Sequence, residues 1–313
     1  MKKLSAVVLS GAALLAVATL PAQAAQGQDA QACSTVKMAD PGWSDIAVTN
    51  GITAFLLESM GYEAQIDSLA VPIIYGGLKD GMVDVFLGNW MPAHQGFYDK
   101  FIANGEVIQL AKNLQGTEFT LAVPTYVYEA GVQTFADLNK HADQFDQKIY
   151  GIGAGAPANQ SLRTIIEKNE FGLGEWQLVE SSEQAMLSEV ARSVRRERAI
   201  VFLGWTPHPM NEQFEMKYLK GGEAYFGETG SVHTLTRKGY SQACPNVGKL
   251  LGNLKFTPQM ENAIMAKLVD KQVSTEQAVK GWIKANPQVL ESWLDGVNTR
   301  DGGDALSAVN ARL

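Results

Sequence analysis

Three of the six tryptophans stand where a buried run of chain is about to turn, and their faces could together hold a cation. Residues 83–87 and 199–203 are apolar, β-branched runs that predict buried strands. Each run leads through Phe-Leu-Gly to a tryptophan, Trp90 or Trp205, which we place just past the strand. Trp43 follows an earlier predicted strand in the same way. Each indole face attracts a desolvated cation by about 2 kcal/mol or more, so these rings would bind a quaternary ammonium group, which cannot donate a hydrogen bond.

The elements around the tryptophans form a repeat. Amphipathic segments at 73–80 and 185–196 precede the two runs, so one βα-type unit is used twice. Open α/β sheets bind ligands at the carboxyl ends of their strands, which is where the repeat delivers each indole. A duplicated pair of core strands would also give the repeat, but it does not easily explain a large aromatic side chain at the turn both times. Phe119, at the start of another predicted strand, would add a fourth ring.

Strands and helices alternate along the chain, which predicts an α/β fold with a mostly parallel sheet and helices on both faces. We expect two lobes, one from residues 25–118 with 232–313 and the other from 119–231. Strands at 119–123 and 232–236 would cross between the lobes. The tryptophans would then face a central cleft, in a hinged arrangement suited to closing on a small solute.

The first 24 residues predict a secretory signal peptide. A basic head, Met1-Lys2-Lys3, precedes an apolar run and then Ala22-Gln23-Ala24, an A-x-A pattern that predicts cleavage after Ala24. No later stretch approaches the roughly 20 apolar residues of a membrane span. We therefore expect a soluble protein in the periplasm of a bacterium with two membranes.

The two cysteines, Cys33 and Cys244, predict one disulfide, because an even count in an oxidising compartment favours pairing. This bond would tie the mature N-terminus to a point late in the chain. Two free thiols or a metal site are the alternatives, although two cysteines without nearby histidines make a poor zinc site.

Charge and motif content argue against several functions. The formal net charge is −7 and there is no block of Lys or Arg, which argues against nucleic-acid binding. The sequence has no G-x-S-x-G or H-E-x-x-H motif and only four histidines, far apart, so we expect no enzyme, metal or cofactor. A secreted enzyme acting on choline derivatives remains a weak alternative.

Five segments carry specific motifs: residues 40–45 (DPGWSD), 86–90 (FLGNW), 171–174 (FGLG), 178–186 (LVESSEQAM) and 202–211 (FLGWTPHPMN). Together they resemble the periplasmic choline-, carnitine- and glycine-betaine-binding proteins of ABC transporters, over nearly all of the mature chain. The resemblance implies a two-lobed type II solute-binding fold. It also implies a quaternary-ammonium ligand, a permease–ATPase in the inner membrane as partner, and a monomer. A ligand-presenting subunit of a chemosensor would share these features and is the main alternative.

The resemblance also implies site residues. The box of three Trp and one Tyr in choline-binding members corresponds to Trp43, Trp90, Trp205 and position 119. The acidic residue and the Asn that grip the ligand hydroxyl correspond to Asp45 and position 156. This chain departs from the pattern with Phe119 and Ala156.

The departures bear on the ligand. Ala156 lies in a turn of small residues whose amides, at a helix N-terminus, favour a carboxylate, and Asn159 follows three residues later as a further candidate. Asp45 could accept a hydrogen bond from a hydroxyl, although capping of its helix is an alternative role. Carnitine carries a trimethylammonium, a hydroxyl and a carboxylate. We therefore expect carnitine narrowly ahead of glycine betaine, and choline third.

Overall fold

The fold is built from nine strands and fifteen helices within the part of the chain that the computed structural model describes, residues 29, 31–269 and 273–313. The predicted signal peptide, residues 1–24, lies outside the described residues. The strands are β1 Thr35–Asp40, β2 Glu63–Ser68, β3 Val85–Met91, β4 Val107–Pro124, β5 Lys148–Tyr150, β6 Gln177–Val179, β7 Phe202–Thr206, β8 Met216–Tyr218 and β9 Gly230–Arg237.

The helices differ widely in length, and the long ones cover the strands. They are α1 Ser44–Ser59, α2 Val71–Asp80, α3 Gln95–Phe97, α4 Thr125–Glu129, α5 Phe135–Leu138, α6 Pro157–Glu167, α7 Glu183–Val194, α8 Met210–Gln213, α9 Glu223–Phe226, α10 Tyr240–Ala243, α11 Pro245–Asn253, α12 Pro258–Val269, α13 Thr275–Ala285, α14 Val289–Trp293 and α15 Ala305–Asn310. Among the described residues, no helix combines the length and the hydropathy of a membrane span.

The sheet is mixed, so the prediction of a mostly parallel sheet was wrong. The strand order is β2-β1-β3-β9-β4-β7-β5-β6, with β8 beside β4. The outer pairs, β1 with β2 and β3, and β5 with β6 and β7, are parallel as expected from their helical crossovers. The central pairs of β4 and β9 are all antiparallel. Alternation of strands and helices does not reveal the direction of these two central strands.

Strand β4 connects two groups of strands, β2-β1-β3-β9 on one side and β7-β5-β6 on the other. It pairs with β9 up to Thr117, opposite Gly230, and with β7 from Glu118, opposite Thr206. The polar run at 111–118 predicts a break between two short strands, yet the chain continues as one strand with irregular register against β9. Bulges of this kind leave residues unpaired and admit polar side chains, which is why the pattern resembles a loop.

Two of the three tryptophans lie inside strands rather than past them. Trp90 is in β3 and Trp205 is in β7, while Trp43 immediately precedes α1. A proline after each tryptophan, Pro92 or Pro207, predicts an end to pairing, and both strands do end there. The pattern at 92–103 predicts one helix, but the structure has the short α3 followed by one π-helical turn, Tyr98–Ile102.

The C-terminal helices return to the first strand group, as expected. Helices α12, α13 and α15 pack against α1. The predicted disulfide is present between Cys33 and Cys244, with an S–S distance of 2.02 Å. It joins the turn before β1 to the chain between α10 and α11. The first and last described segments are thereby held on the same group of strands.

Candidate functional site

A small cavity, partly open to solvent, lies where the two strand groups meet. Its lining residues are Trp43, Asp45, Trp90, Ala93, His94, Phe119, Ile152, Ala156, Pro157, Ala158 and Trp205. Six of the seven predicted ligand-binding residues are therefore brought together here, and Asn159 is not among them.

Phe119 connects the indoles of the two strand groups. It pairs with Trp205 across β4 and β7, and the two rings stack at 5.8 Å between centroids with an interplanar angle of 28°. Its other neighbour is Trp90 of β3, with centroids 6.3 Å apart and planes at 60°. Because Phe119 lies two residues beyond the point where β4 changes partner, one ring contacts both groups.

Trp43 forms a third aromatic wall from a helix terminus. It occupies the N-cap position of α1 in an extended conformation, with φ −100° and ψ 142°. This conformation turns the chain from β1 into the helix. The indole is 9% exposed and meets the His94 ring edge-on, with 6.0 Å between centroids.

Asp45 is the buried carboxylate of the cavity. Its Oδ2 accepts a hydrogen bond of 2.9 Å from Trp90 Nε1, which orients that indole. Burial, and then the negative charge of Glu183, raise the pKa of Asp45 to about 7. The carboxylate is thus the group in the lining whose ionisation a bound cation would favour.

His94 contributes a neutral ring. The Tyr75 hydroxyl donates to Asn89 Oδ1 at 2.8 Å, which leaves His94 Nδ1–H to donate to the Tyr75 oxygen at 2.9 Å. Complete burial lowers the pKa of His94 to about 3. The imidazole therefore places no positive charge beside the cavity at neutral pH.

The turn before α6 presents small side chains to the cavity. Ala156 is the N-cap of α6, and its N–H donates to Gly153 O. Pro157 has no N–H, and the Asn159 N–H donates to Ala156 O. In this part of the described chain, the Ala158 amide is left as the first-turn donor for a ligand.

Asn159 braces that turn from behind. Its Oδ1 accepts from Ile152 N–H at 3.1 Å, and its Nδ2 donates to Ile152 O at 2.8 Å and to Glu180 at 2.6 Å. The amide is fully buried and its hydrogen-bonding groups are occupied. Position within the helix alone could not show which way this side chain turns.

Sequence reasoning missed several lining residues: Ala93, His94, Ile152, Pro157 and Ala158. All of them lie within four residues of a predicted site residue, which was the available signal. No group of three or more His, Cys, Asp or Glu side chains in residues 29, 31–269 and 273–313 is arranged to hold a metal ion.

A family model and two relatives match this chain. A family model described as the substrate binding domain of an ABC-type glycine betaine transport system matches residues 34–285. The uncharacterized protein ORF1 of Chromohalobacter salexigens is 48% identical over 148 residues, 47% of this chain and 93% of that protein. The glycine betaine/carnitine transport binding protein GbuC of Listeria monocytogenes is 32% identical over 191 residues, 60% of this chain and 63% of GbuC.

Solved structures share the fold over most of the chain. An ABC-transporter choline binding protein in complex with choline is 44% identical, covers 91% of this chain and 99% of its own, and superposes with a TM-score of 0.88. A choline binding protein in an unliganded semi-closed conformation, also 44% identical, covers 90% and 99% with a TM-score of 0.83. Lactococcal OpuAC complexed with glycine betaine is 24% identical, covers 83% and 98%, and shares the fold with a TM-score of 0.76.

Proposed function

Because this chain belongs to the family of substrate-binding domains of ABC-type glycine betaine transport systems, we propose that it captures a trimethylammonium compound in the cavity described above. The protein has the two-lobed α/β fold of the type II periplasmic binding proteins. Its function is substrate binding for a glycine betaine or choline ABC transporter, and its named relatives are transport proteins rather than enzymes.

The observation that carries the proposal is the convergence of Trp43, Trp90, Trp205 and Phe119 on one cavity that also holds a carboxylate. Within the described chain, no lysine or arginine lines this cavity. A trimethylammonium group loses little hydration on entry, and each dry aromatic face attracts it by about 2 kcal/mol or more. The carboxylate of Asp45 supplies the counter-charge.

The other end of the ligand depends on Asp45 and the turn at Ala156. Ala156 has no side-chain amide to hold a ligand hydroxyl, whereas Asp45 can accept a hydrogen bond from one. The Ala158 N–H at the start of α6 can donate to a carboxylate. Carnitine carries the trimethylammonium, the hydroxyl and the carboxylate that these groups would bind, so it is our first choice, followed by glycine betaine. Choline is third, and the 44% identical structure solved in complex with choline is the observation in its favour.

The binding cycle follows from the two strand groups. We assign residues 25–118 and 232–313 to one lobe and 119–231 to the other, so that the cage is complete only when the lobes meet. In this scheme the mature, monomeric protein lacks residues 1–24, works in the periplasm and delivers its ligand to a permease–ATPase of the inner membrane. Loss of ligand uptake in a deletion strain, rather than loss of chemotaxis, would distinguish transport from sensing.

Calorimetric titration of the purified protein with carnitine, glycine betaine, choline and proline betaine tests the proposal. We expect carnitine to bind most tightly. Tightest binding of choline would refute the interpretation of Ala156, and no binding of any of the four would refute the function.

Truncating a cage ring tests the cage itself. We expect Trp43→Ala and Trp205→Ala each to abolish measurable binding, because each removes one of the dry faces that hold the cation. Trp282→Ala is the matched control, since Trp282 stacks on Trp293 in the C-terminal helices and does not line the cavity. Circular dichroism checks that all three variants fold. Full affinity in both cage variants would rule the cage out.

A further inference from the structure

Helix α1 begins without a cap of its own. Its N-cap residue is Trp43, whose side chain makes no capping hydrogen bond and instead lines the cavity. The first amides of a helix have no partner within it, and a side-chain oxygen normally accepts from one of them. Trp43 thus occupies the N-cap position, where Ser, Thr, Asp or Asn is usual.

Glu183 of the other lobe supplies the missing acceptor. Its Oε2 accepts from Ser44 N–H, the first amide of α1, at 3.2 Å, and its Oε1 accepts from the Ser44 hydroxyl. Glu183 opens α7, is 2% exposed and lies 139 residues from Ser44 in the chain. A carboxylate at a helix N-terminus is also favoured by the helix dipole. One further contact, Gln184 Nε2 to Gly42 O at 3.4 Å, joins the same two segments.

On its own side of the cleft, Glu183 is held by His208. His208 Nδ1 accepts from Met210 N–H at 3.0 Å, so the proton of the neutral ring is on Nε2, which donates to Glu183 Oε1 at 3.2 Å. The His208 ring also packs edge-on against Trp205, with 5.0 Å between centroids. A continuous series of contacts therefore runs from the Trp205 indole through His208 and Glu183 to Ser44, the residue that follows Trp43.

We propose that Glu183 is a positioning residue that couples lobe closure to assembly of the cage, by capping α1 across the cleft while His208 and Trp205 hold it in place. The inference rests on the proposed function. When the lobes separate, Ser44 and the start of α1, beside Trp43, lose the cap.

The charges around Glu183 explain why a cation would promote this closure. Closure brings the Glu183 carboxylate towards Asp45 and Asp40. Burial raises the pKa of both groups, and the charge of Glu183 raises them further. Burial and the charge of Asp45 raise the pKa of the nearby Glu261 carboxyl well above its usual value. A cation held between the indoles offsets the repulsion between Glu183 and Asp45, so the cap forms at least cost when the ligand is bound.

Glu183→Gln is the informative variant. Three donors, the Ser44 N–H, the Ser44 hydroxyl and His208 Nε2–H, converge on two carboxylate oxygens, whereas an amide offers one oxygen and an NH₂ that would face a donor. Carnitine, glycine betaine and choline are each titrated against the variant and the wild type, and dissociation rates are measured by stopped flow. We expect affinity to fall by about 10- to 100-fold, mainly through faster dissociation.

Ser44→Ala and Glu189→Gln complete the design. Ser44→Ala removes one bond across the cleft, so we expect a smaller loss, and the double variant Ser44→Ala/Glu183→Gln should bind no more weakly than Glu183→Gln alone. Glu189 lies on the same helix with only the half-exposed partners Arg192 and Arg198, and its substitution should leave affinity unchanged. Small-angle scattering should show ligand-induced compaction in the wild type and less in Glu183→Gln.

The possible outcomes separate the inference from the proposed function. If the wild type binds none of the three ligands, the proposed function fails. If the wild type binds but Glu183→Gln stays within about twofold, or the Ser44 and Glu183 losses simply add, the coupling is refuted. If Glu183 had a purely structural role, its substitution would instead lower the melting temperature of the ligand-free protein in proportion to the loss of affinity. Glu183→Asp, which keeps the charge but shortens the reach, provides the same test should Glu183→Gln not fold.

Discussion

Asp45 is buried near the charged Glu183, and these two conditions set its ionisation. Desolvation and the charge of Glu183 raise its pKa from 3.8 to about 7, so near neutral pH a fraction of the ligand-free protein with the lobes together carries the proton. A cation in the cavity stabilises the ionised form. Binding therefore releases a proton wherever Asp45 is protonated in the free protein.

Affinity should accordingly rise with pH. For one proton released from a group with a pKa near 7, the affinity increases about tenfold between pH 6 and pH 8 and levels off above. Calorimetry across this range measures it, and buffers of different ionisation enthalpy report the proton directly. Asp45→Asn, which cannot ionise, should bind more weakly with no such dependence. Equal affinity of the wild type at both ends of the range would contradict the prediction.

At the level of elements, the two Phe-Leu-Gly repeats place glycine where neighbouring chain approaches closely. A Cβ at Gly88 would lie 2.7 Å from Ile46 Cδ1, and one at Gly204 would lie 2.9 Å from Ala122 Cβ and 2.8 Å from the Tyr218 ring. Contacts this short force the neighbours apart. The glycine of the repeated motif is thus explained by close packing against β3 and β7. It stands two residues before Trp90 in β3 and one residue before Trp205 in β7.

Gly204→Ala should destabilise the protein. Ala122 lies on β4 and can yield little, so we expect a loss of about 1–3 kcal/mol in the free energy of unfolding. Ligand affinity should also fall, because Trp205 is the next residue. Gly281→Ala is the control: its Cβ would meet nothing within 4 Å in the middle of α13, and it should stabilise by about 0.5–1 kcal/mol. Urea denaturation compares the two, and a neutral Gly204→Ala would show that the strands can separate without cost.

At the scale of the whole molecule, the Cys33–Cys244 bond closes a long loop, because the two cysteines are 211 residues apart in the sequence. It joins the start of the first lobe to the helices that return there, so it restricts the unfolded chain without crossing the ligand cavity.

Removing the bond should therefore separate stability from binding. We expect Cys33→Ala/Cys244→Ala to lower the free energy of unfolding by about 2–5 kcal/mol, because closing a long loop restricts the unfolded ensemble most. Neither cysteine lines the cavity, so affinity should stay within about threefold of the wild type. Denaturant titration and calorimetry on the same preparation measure both quantities. A large loss of affinity at unchanged stability would show that the tether instead positions the cage.

Local chemistry was sufficient for much of this protein. The Phe-Leu-Gly repeats, the prolines that end pairing and the positions of Trp43, Trp90 and Trp205 are all properties of short segments, and the sequence indicated that these indoles would gather at one cleft. The count of two cysteines left a single possible pairing, and the structure contains that disulfide. The departures at Phe119 and Ala156 were also visible in the sequence alone.

Only the tertiary structure decided what depends on contacts between distant segments. The direction of β4 and β9 in the sheet, the inward turn of Asn159 towards Ile152, and the burial that shifts the pKa of Asp45 all involve neighbours that the sequence does not place. Glu183 shows this most clearly. Its position at the start of α7 predicts a role in its own helix, yet the fold brings its carboxylate to the first amide of α1, because the two strand groups meet where Trp43 leaves that helix without a side-chain cap.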